Sequence, residues 1–219
     1  MSGESSNAGA APPRPPTGFT LSVPDAWQAV DLDPETADAS IDAYVAACVA
    51  AAPEAARYRG RMRRILRDVV ATNREGGAFF TAFLAGTRGR PEDVVGASLV
   101  LAWRPLDTTN PISVDGLVEV LGAAPPEAGE RVARRVVARV ELRCGPAAYL
   151  QTSQLVPVPG ASERQRVTIS QFLVPVRDLP WLGVITASTP NLDLADGVDA
   201  IAENVAQSLR FLDGPTEPG

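Results

Sequence analysis

Four consecutive strand-like segments, joined by links of turn length, constrain the fold of this chain more than any other feature. They read RRVVARVELRCG, AAYLQTSQLVPV, RVTISQFLVPV and WLGVITAST, and turn sequences such as PGASER and RDLP lie between them. In the first segment apolar and charged side chains alternate: Val136, Ala138, Val140 and Leu142 against Arg135, Arg139, Glu141 and Arg143. Short links join antiparallel neighbours, because a parallel crossover needs a dozen or more residues. We therefore predict a mostly antiparallel sheet.

The first half of the chain predicts a short strand followed by two helices. GFTLSVPDAW has the alternation of a strand that ends in a turn, with Phe19, Leu21 and Val23 on one face. A helix is then predicted to open at Pro34 and to bury one side, formed by Ile41, Val45, Cys48 and Val49. Pro53 interrupts it, and a second helix is expected to run to about Glu75, where two glycines follow.

The remaining segments complete an α+β pattern. AFFTAFLAG and VVGASLVLAWRP predict two strands, the second with one apolar face: Val95, Ala97, Leu99, Leu101 and Trp103. SVDGLVEVLG predicts a short helix capped by Ser113, and the segment from Pro190 to Leu212 predicts an amphipathic helix. We predict one α+β domain over residues 18–212. Its mostly antiparallel sheet has about six strands, covered by an N-terminal helical hairpin and a C-terminal helix. The polar and proline-rich segments 1–17 and 213–219 are predicted to be disordered tails.

The composition excludes several classes of catalytic site. The chain of 219 residues has no histidine, and all 20 of its positively charged side chains are arginine. Catalytic triads and the usual zinc sites need histidine, and Schiff-base or P-loop chemistry needs lysine. The groups that remain as candidates for catalysis are carboxylate pairs, arginine, tyrosine and a thiolate. Pairs such as Asp193 and Asp196 suit the start of a helix, where acids complement the helix dipole. We therefore predict no catalytic residue, no cofactor and no metal, although an enzymatic role stays open.

The two cysteines and the apolar runs bear on the compartment. Cys48 lies in an alanine-rich run and is interpreted as a small buried residue, whereas Cys144 ends a strand-like segment beside Arg143. We predict no disulfide between them, and a reactive thiol at Cys144 is the alternative. The N-terminus lacks the apolar region of a signal peptide, and no apolar run is long enough to span a membrane. The expected location is the cytoplasm.

The order of three segments carries a family resemblance. FTLSVPDAW, then VELRCGPAAY, then QFLVPVRDLPWLGVITASTPNLDLADGVDAIAENVAQSLRF resembles a group of uncharacterised actinobacterial proteins. It is also similar to the PsbP-like α/β/α sandwiches, which include LpqN-type lipoproteins. The family pattern is a strand, VP-x-x-W, a sheet, F-T-x-P and a closing helix, and here TASTP at residues 186–190 stands for the F-T-x-P motif. The resemblance covers about residues 19–212 and implies a non-catalytic binding or accessory domain. This chain departs from the LpqN type in lacking a lipobox and in its longer helical pair at 34–75.

An arginine cluster is the strongest candidate site. RYRGRMRRILR, residues 57–67, holds six arginines in a chain of net charge −6. On a helix, one apolar stripe is predicted: Tyr58, Met62, Ile65 and Val69. One interpretation is pairing within the chain, because the segment from Asp25 to Glu54 carries seven acids and no arginine. Folding back at Pro53 would bring Asp42 near residue 63 or 64, and Asp38 near Arg67.

The other interpretation of the cluster is a binding surface, with Arg57, Arg61, Arg64 and Arg67 as the partner-binding residues. A protein partner is favoured over nucleic acid or a membrane, because the sequence pI is about 4.8 and the apolar stripe lacks bulky residues. The charged residues of the β-strand at 135–143 form a second candidate partner face, or a solvated strand face. Trp27, Trp103 and Trp181 are predicted to lie in the core, with the wall of a ligand pocket as the alternative.

Two functions follow from the sequence. The favoured one is a non-enzymatic binding or accessory protein that acts through a protein partner. The alternative is a small-molecule-binding or enzymatic domain with a pocket between sheet and helix. A deep polar pocket would favour the second function, and a flat arginine face would favour the first.

Overall fold

The structure, a computed structural model, describes residues 15–16, 18–88, 90–106, 113–124, 134–157 and 164–212. The predicted tails fall outside these ranges, except for residues 15 and 16. The strands are β1 Phe19–Thr20, β2 Gln28–Ala29, β3 Ala78–Arg88, β4 Arg90–Pro105, β5 Arg134–Leu142, β6 Gly145–Pro157, β7 Arg164–Pro175, β8 Trp181–Thr189 and β9 Arg210–Phe211. The helices are α1 Ala37–Ala51, α2 Arg59–Glu75, α3 Val114–Ala123 and α4 Ala195–Ser208, with 3-10 helices at Pro53–Tyr58 and Leu192–Leu194.

Seven of these strands form one antiparallel sheet in the order β2-β3-β4-β8-β7-β6-β5. Strands β5 to β8 form a meander in sequence order, as their short links predict. The pairing of β4 with β8, with Leu101 opposite Ile185, joins the two halves of the chain. The predicted α+β class and mostly antiparallel sheet are confirmed, with seven strands. The strand β1 pairs separately with β9.

Helix α4 covers one face of the sheet. Directly opposite residues of neighbouring strands, such as Phe172 and Ile185, share this face and pack with Val198, Ala202 and Val205 of α4. The apolar alternation predicted for β4 is confirmed, since Leu99 and Leu101 are fully buried there. All three tryptophans are buried, as predicted, and Trp103 packs beside Trp181 in a cluster at the end of the sheet.

The other helices lie on the opposite face. Leu173, the neighbour of Phe172 in β7, packs with Leu117 of α3. On β3, Phe83 faces the hairpin of α1 and α2, and its ring centroid lies 5.7 Å from that of Tyr44. Because successive side chains of a strand point to opposite faces, the helices cover both sides of the sheet.

Local polar side chains set several of the helix ends. The Ser113 hydroxyl accepts a hydrogen bond from the Gly116 N–H, so the predicted cap of α3 is confirmed. Helix α2 ends at Glu75 as predicted, and Gly77 follows with φ +74°, which favours glycine. Helix α1 begins at Ala37 and not at Pro34, because Asp33 holds the preceding residues in a turn. Asp33 Oδ1 accepts a hydrogen bond from the Glu35 N–H, and the Asp33 carbonyl accepts one from the Ala37 N–H.

The predicted first strand is shorter than its alternation suggests. Only Phe19 and Thr20 pair with β9, and the Ser22 N–H donates instead to the Ser208 hydroxyl of α4. The alternating apolar side chains of this segment, Phe19, Leu21 and Val23, nevertheless all pack on the core. Within the described part of the chain, no helix has the length and apolar character needed to cross a lipid bilayer.

Candidate functional site

Two ion pairs tie α2 to α1. Arg63 Nε lies 2.6 Å from Asp42 Oδ1, in an ion pair whose angle is not that of a hydrogen bond. Arg67 Nε donates to Asp38 Oδ1 at 2.7 Å. The hydrogen bond and the charge of Asp38 raise the pKa of the Arg67 guanidinium. The predicted fold-back at Pro53, with Asp42 near residue 63 and Asp38 near Arg67, is confirmed.

The other four arginines of the cluster face solvent. We name them the arginine surface: Arg57, Arg59, Arg61 and Arg64. All four are exposed, and none forms an ion pair with a residue that the structure describes. The guanidinium carbon of Arg57 lies 4.7 Å from the ring centroid of Tyr58, which is 48% exposed. The arginine surface thus keeps four positive charges that the hairpin does not neutralise.

The core-facing side of α2 explains which arginines are free. The buried residues of α2 are Leu66 and Val70, with Met62 and Val69 packed beside them. The predicted stripe was wrong at Tyr58, which ends the 3-10 helix of residues 53–58 and is exposed, and at Ile65, since the buried side chain there is Leu66. With Leu66 facing the core, Arg63 and Arg67 lie on the flank next to α1, while Arg61 and Arg64 lie on the far side.

The sequence interpretation of the partner-binding set differs from the arginine surface at two positions. Arg67 belongs to the predicted set but is occupied by Asp38. Arg59 was not predicted, although it is exposed at the first residue of α2. No signal in the sequence marks Arg59, because the fold decides that the 3-10 helix ends at Tyr58 and that α2 begins at the next residue.

Helix α3 borders the charged face of β5, on which Arg139, Glu141 and Arg143 are exposed. Arg139 Nη1 lies 3.0 Å from Asp115 Oδ1 of α3, and Arg139 Nη2 lies 3.2 Å from Glu141 Oε1. Arg135 Nη1 donates to the Ala124 carbonyl at the end of α3. The interpretation of this face as a solvated strand face is therefore confirmed for Arg139, Glu141 and Arg143, and Arg135 is the partly buried exception beneath the end of α3.

A tyrosine and a carboxylate that the sequence did not single out meet between β6 and α4. The Tyr149 hydroxyl donates to Asp199 Oδ1 at 2.7 Å. Burial and the negative charge of Asp199 raise the pKa of Tyr149. The phenol thus keeps its proton, and the pair fastens the sheet to α4. No spacing in the sequence marks it, since 50 positions separate the two residues.

The remaining chemical candidates are weak. Both cysteines are free, as predicted, and burial raises the pKa of each thiol, which disfavours a reactive thiolate at Cys144. Asp196 lies in the first turn of α4, where an acid complements the helix dipole. Among the described residues, no group of three or more cysteine and acidic side chains could hold a metal ion.

Cavities lie beside the hairpin. One of about 200 Å³ between α1 and α2 is bordered by Asp38, Arg67 and Arg74. Another of about 360 Å³ lies where β2 and β3 meet the start of α1, and its polar residues are Asp31, Ser40 and Thr81. Hydrogen bonds from Thr36 and from the Asp33 N–H already engage the Asp31 carboxylate and lower its pKa. Neither cavity gathers several free charged groups.

No protein-family model matches this chain, and no curated protein matches it.

Proposed function

We propose that this chain is a non-enzymatic binding protein that docks an acidic segment of a protein partner on its arginine surface. The proposal rests on one observation: the structure divides the arginine cluster into residues that pair with α1 and residues that are exposed. Arg63 and Arg67 are paired with the acids of α1, whereas Arg61 and Arg64 are exposed on the far side of α2 and Arg57 and Arg59 are exposed at its start. Arginine forms bidentate contacts with carboxylates, which suits an acidic peptide.

An acidic protein fits this surface better than the other polyanions. The chain as a whole carries a net charge of −6, which repels nucleic acid and anionic membranes at long range. The aromatic side chain within the cluster is Tyr58, and its own neighbour Arg57 lies against the ring, which leaves little of it for stacking with a base. A short acidic segment needs only the local patch of positive charge.

The composition and the family resemblance support a role without catalysis. The chain offers no histidine and no lysine, and the resemblance to PsbP-like sandwiches implies a binding or accessory domain. The proposal includes a cytoplasmic location, where two free cysteines stay reduced.

Anisotropy titrations of the full chain test the proposal with three fluorescent probes: an acidic peptide of alternating Glu and Leu, a single-stranded oligonucleotide and anionic vesicles. We expect the peptide to bind in low salt. Arg61→Glu with Arg64→Glu should abolish its binding, since both residues are exposed and unpaired among the described residues. The control, Arg164→Glu with Arg177→Glu, changes the charge equally at exposed sites elsewhere. Equal loss in both double variants, or tighter binding of the oligonucleotide or vesicles, contradicts the proposal.

A small-molecule site is the second candidate function. The cavity of about 360 Å³ beside β2 and β3 favours it, because its walls combine apolar side chains with Asp31, Ser40 and Thr81. A thermal-shift screen of small polar metabolites distinguishes the two functions. A ligand that raises Tm in the wild type but not in Ser40→Leu would support this candidate, and binding of the acidic peptide would not be affected.

A further inference from the structure

The strand β5 lies at an open edge of the sheet. It is the last strand in the sheet order, and it pairs only with β6 through all nine residues from Arg134 to Leu142. No described residue forms a ladder with its outer edge. An edge strand of this length displays a row of backbone N–H and C=O groups that can pair with another strand.

The register with β6 decides which backbone groups of β5 point outward. Leu142 lies opposite Gly145 beside the turn, and Glu141 lies opposite Pro146, which has no N–H. The Glu141 carbonyl accepts instead from Gln207 Nε2 of α4, at 3.1 Å, so this carbonyl points away from β6. Because hydrogen-bonded and non-hydrogen-bonded positions alternate, Arg135, Val137 and Arg139 also turn their backbone groups outward.

We propose that the chain forms a two-fold symmetric dimer in which β5 pairs with β5 of a second copy, so that the two seven-stranded sheets become one. The inference does not depend on the arginine surface, which lies on the hairpin beside β3 near the opposite edge of the sheet.

Charge complementarity favours a second copy of the chain as the partner of β5, and it favours one register of the pairing. Antiparallel pairing about a two-fold axis at Ala138 places Arg135 opposite Glu141 of the second copy, and this contact occurs twice. It adds to the contacts within each copy, in which Arg135 donates to the Ala124 carbonyl and Glu141 pairs with Arg139. Opposite charges across neighbouring strands stabilise the pairing, and like charges destabilise it. The same register lets Val137 and Arg139 exchange outward hydrogen bonds with Arg139 and Val137 of the second copy.

The neighbouring registers are less favourable. An axis at Val137 places Arg135 opposite Arg139, and an axis at Arg139 places that arginine opposite itself. An axis at Val140 pairs Arg139 with Glu141 but shortens the ladder, because the strand ends at Leu142 before a turn. In the Ala138 register the Arg135 N–H of the second copy replaces Gln207 Nε2 at the Glu141 carbonyl or shares that oxygen with it.

Sedimentation velocity of the full chain over a concentration series tests the dimer. We expect a reversible monomer–dimer equilibrium for the wild type. Arg135→Glu alone, and Glu141→Arg alone, place like charges opposite at both ends, so each should weaken dimerisation by about tenfold or more. In an equimolar mixture of these two variants, the heterodimer has unlike charges opposite each other at both ends of the paired strands. The mixture should therefore regain wild-type dimerisation, which a merely damaged fold would not do.

Val137→Pro provides a second test, which does not depend on charge. Proline removes an outward N–H that β6 does not use, and edge strands tolerate it. We expect this variant to stay folded by circular dichroism and to remain monomeric. A wild type that is monomeric at millimolar concentration, a dimer that survives Val137→Pro, or single charge variants that dimerise as strongly as the wild type would overturn the proposal.

Discussion

The Tyr149 hydroxyl donates a hydrogen bond of 2.7 Å to Asp199 Oδ1 and so joins the middle of β6 to α4. Replacing Tyr149 with Phe removes this bond and leaves the half-buried carboxylate with one partner fewer. We expect the free energy of unfolding to fall by about 1 kcal/mol. Urea titration of both proteins at pH 7 measures the difference. Tyr58→Phe, at the exposed tyrosine, is the matched control and should leave the midpoint unchanged.

Stability should fall in alkaline solution because of two tyrosines. Burial raises the pKa of Tyr44 and of Tyr149 above the unfolded value of about 10. The unfolded chain therefore loses these protons first. The stabilisation is fully present below pH about 10 and is lost as the pH rises further. Urea midpoints from pH 8 to 11 should show this decline, and Tyr149→Phe should make it shallower. An unchanged slope in that variant contradicts the prediction.

The two ion pairs of the hairpin should contribute a salt-dependent part of its stability. Replacing Arg63 and Arg67 with Glu places like charges against Asp42 and Asp38, so we expect Tm to fall by a few degrees in low salt. High salt should restore part of the loss, because it screens exposed charges. Arg61→Glu with Arg64→Glu, on the free side of α2, is the matched control. If both double variants lose the same Tm, the observed pairing does not account for the effect.

Gly183 provides the space that Trp103 occupies. A Cβ at Gly183 would lie 2.9 Å from Cζ3 of the indole ring, closer than real Cβ contacts. Gly183→Ala should therefore lower the free energy of unfolding by about 1–3 kcal/mol through overpacking. In a Trp103→Leu background the same glycine change should cost much less, and a double-mutant cycle measures the difference. Independent, additive effects would show that the ring is not the cause.

Gly60 offers a stabilising change within the arginine cluster. It is the second residue of α2, and a Cβ there would meet no atom within 4 Å. Gly60→Ala should raise the free energy of unfolding by about 0.5–1 kcal/mol, because alanine loses less backbone entropy in a helix. Thermal unfolding measures this gain. Peptide binding should stay unchanged, so the variant separates the stability of the hairpin from its surface charge.

Local patterns predicted the features that depend on neighbours in the sequence. The alternation of apolar residues correctly predicted the buried face of β4, and Ser113 correctly predicted the start of α3. The register of α1 and α2 was predictable because Pro53 fixes the point of reversal and the opposite charges of Asp38 and Arg67 then coincide. The pairing of β4 with β8 and the contact of Tyr149 with Asp199 were not predictable, since packing between distant segments decides both. The arginine surface was predicted only in part, because the predicted set included Arg67, which pairs with Asp38, and left out Arg59.

The place of β4 beside β8 has a consequence for synthesis on the ribosome. The N-terminal half can form the hairpin and the β3–β4 pair, yet β4 lacks its second neighbour until Trp181–Thr189 has been made. During that interval a long, apolar strand edge is exposed in the nascent chain, which is the condition under which wrong strand pairing occurs. The strand Trp181–Thr189 therefore closes the sheet at its centre, and the sheet cannot be completed during synthesis before that strand has emerged.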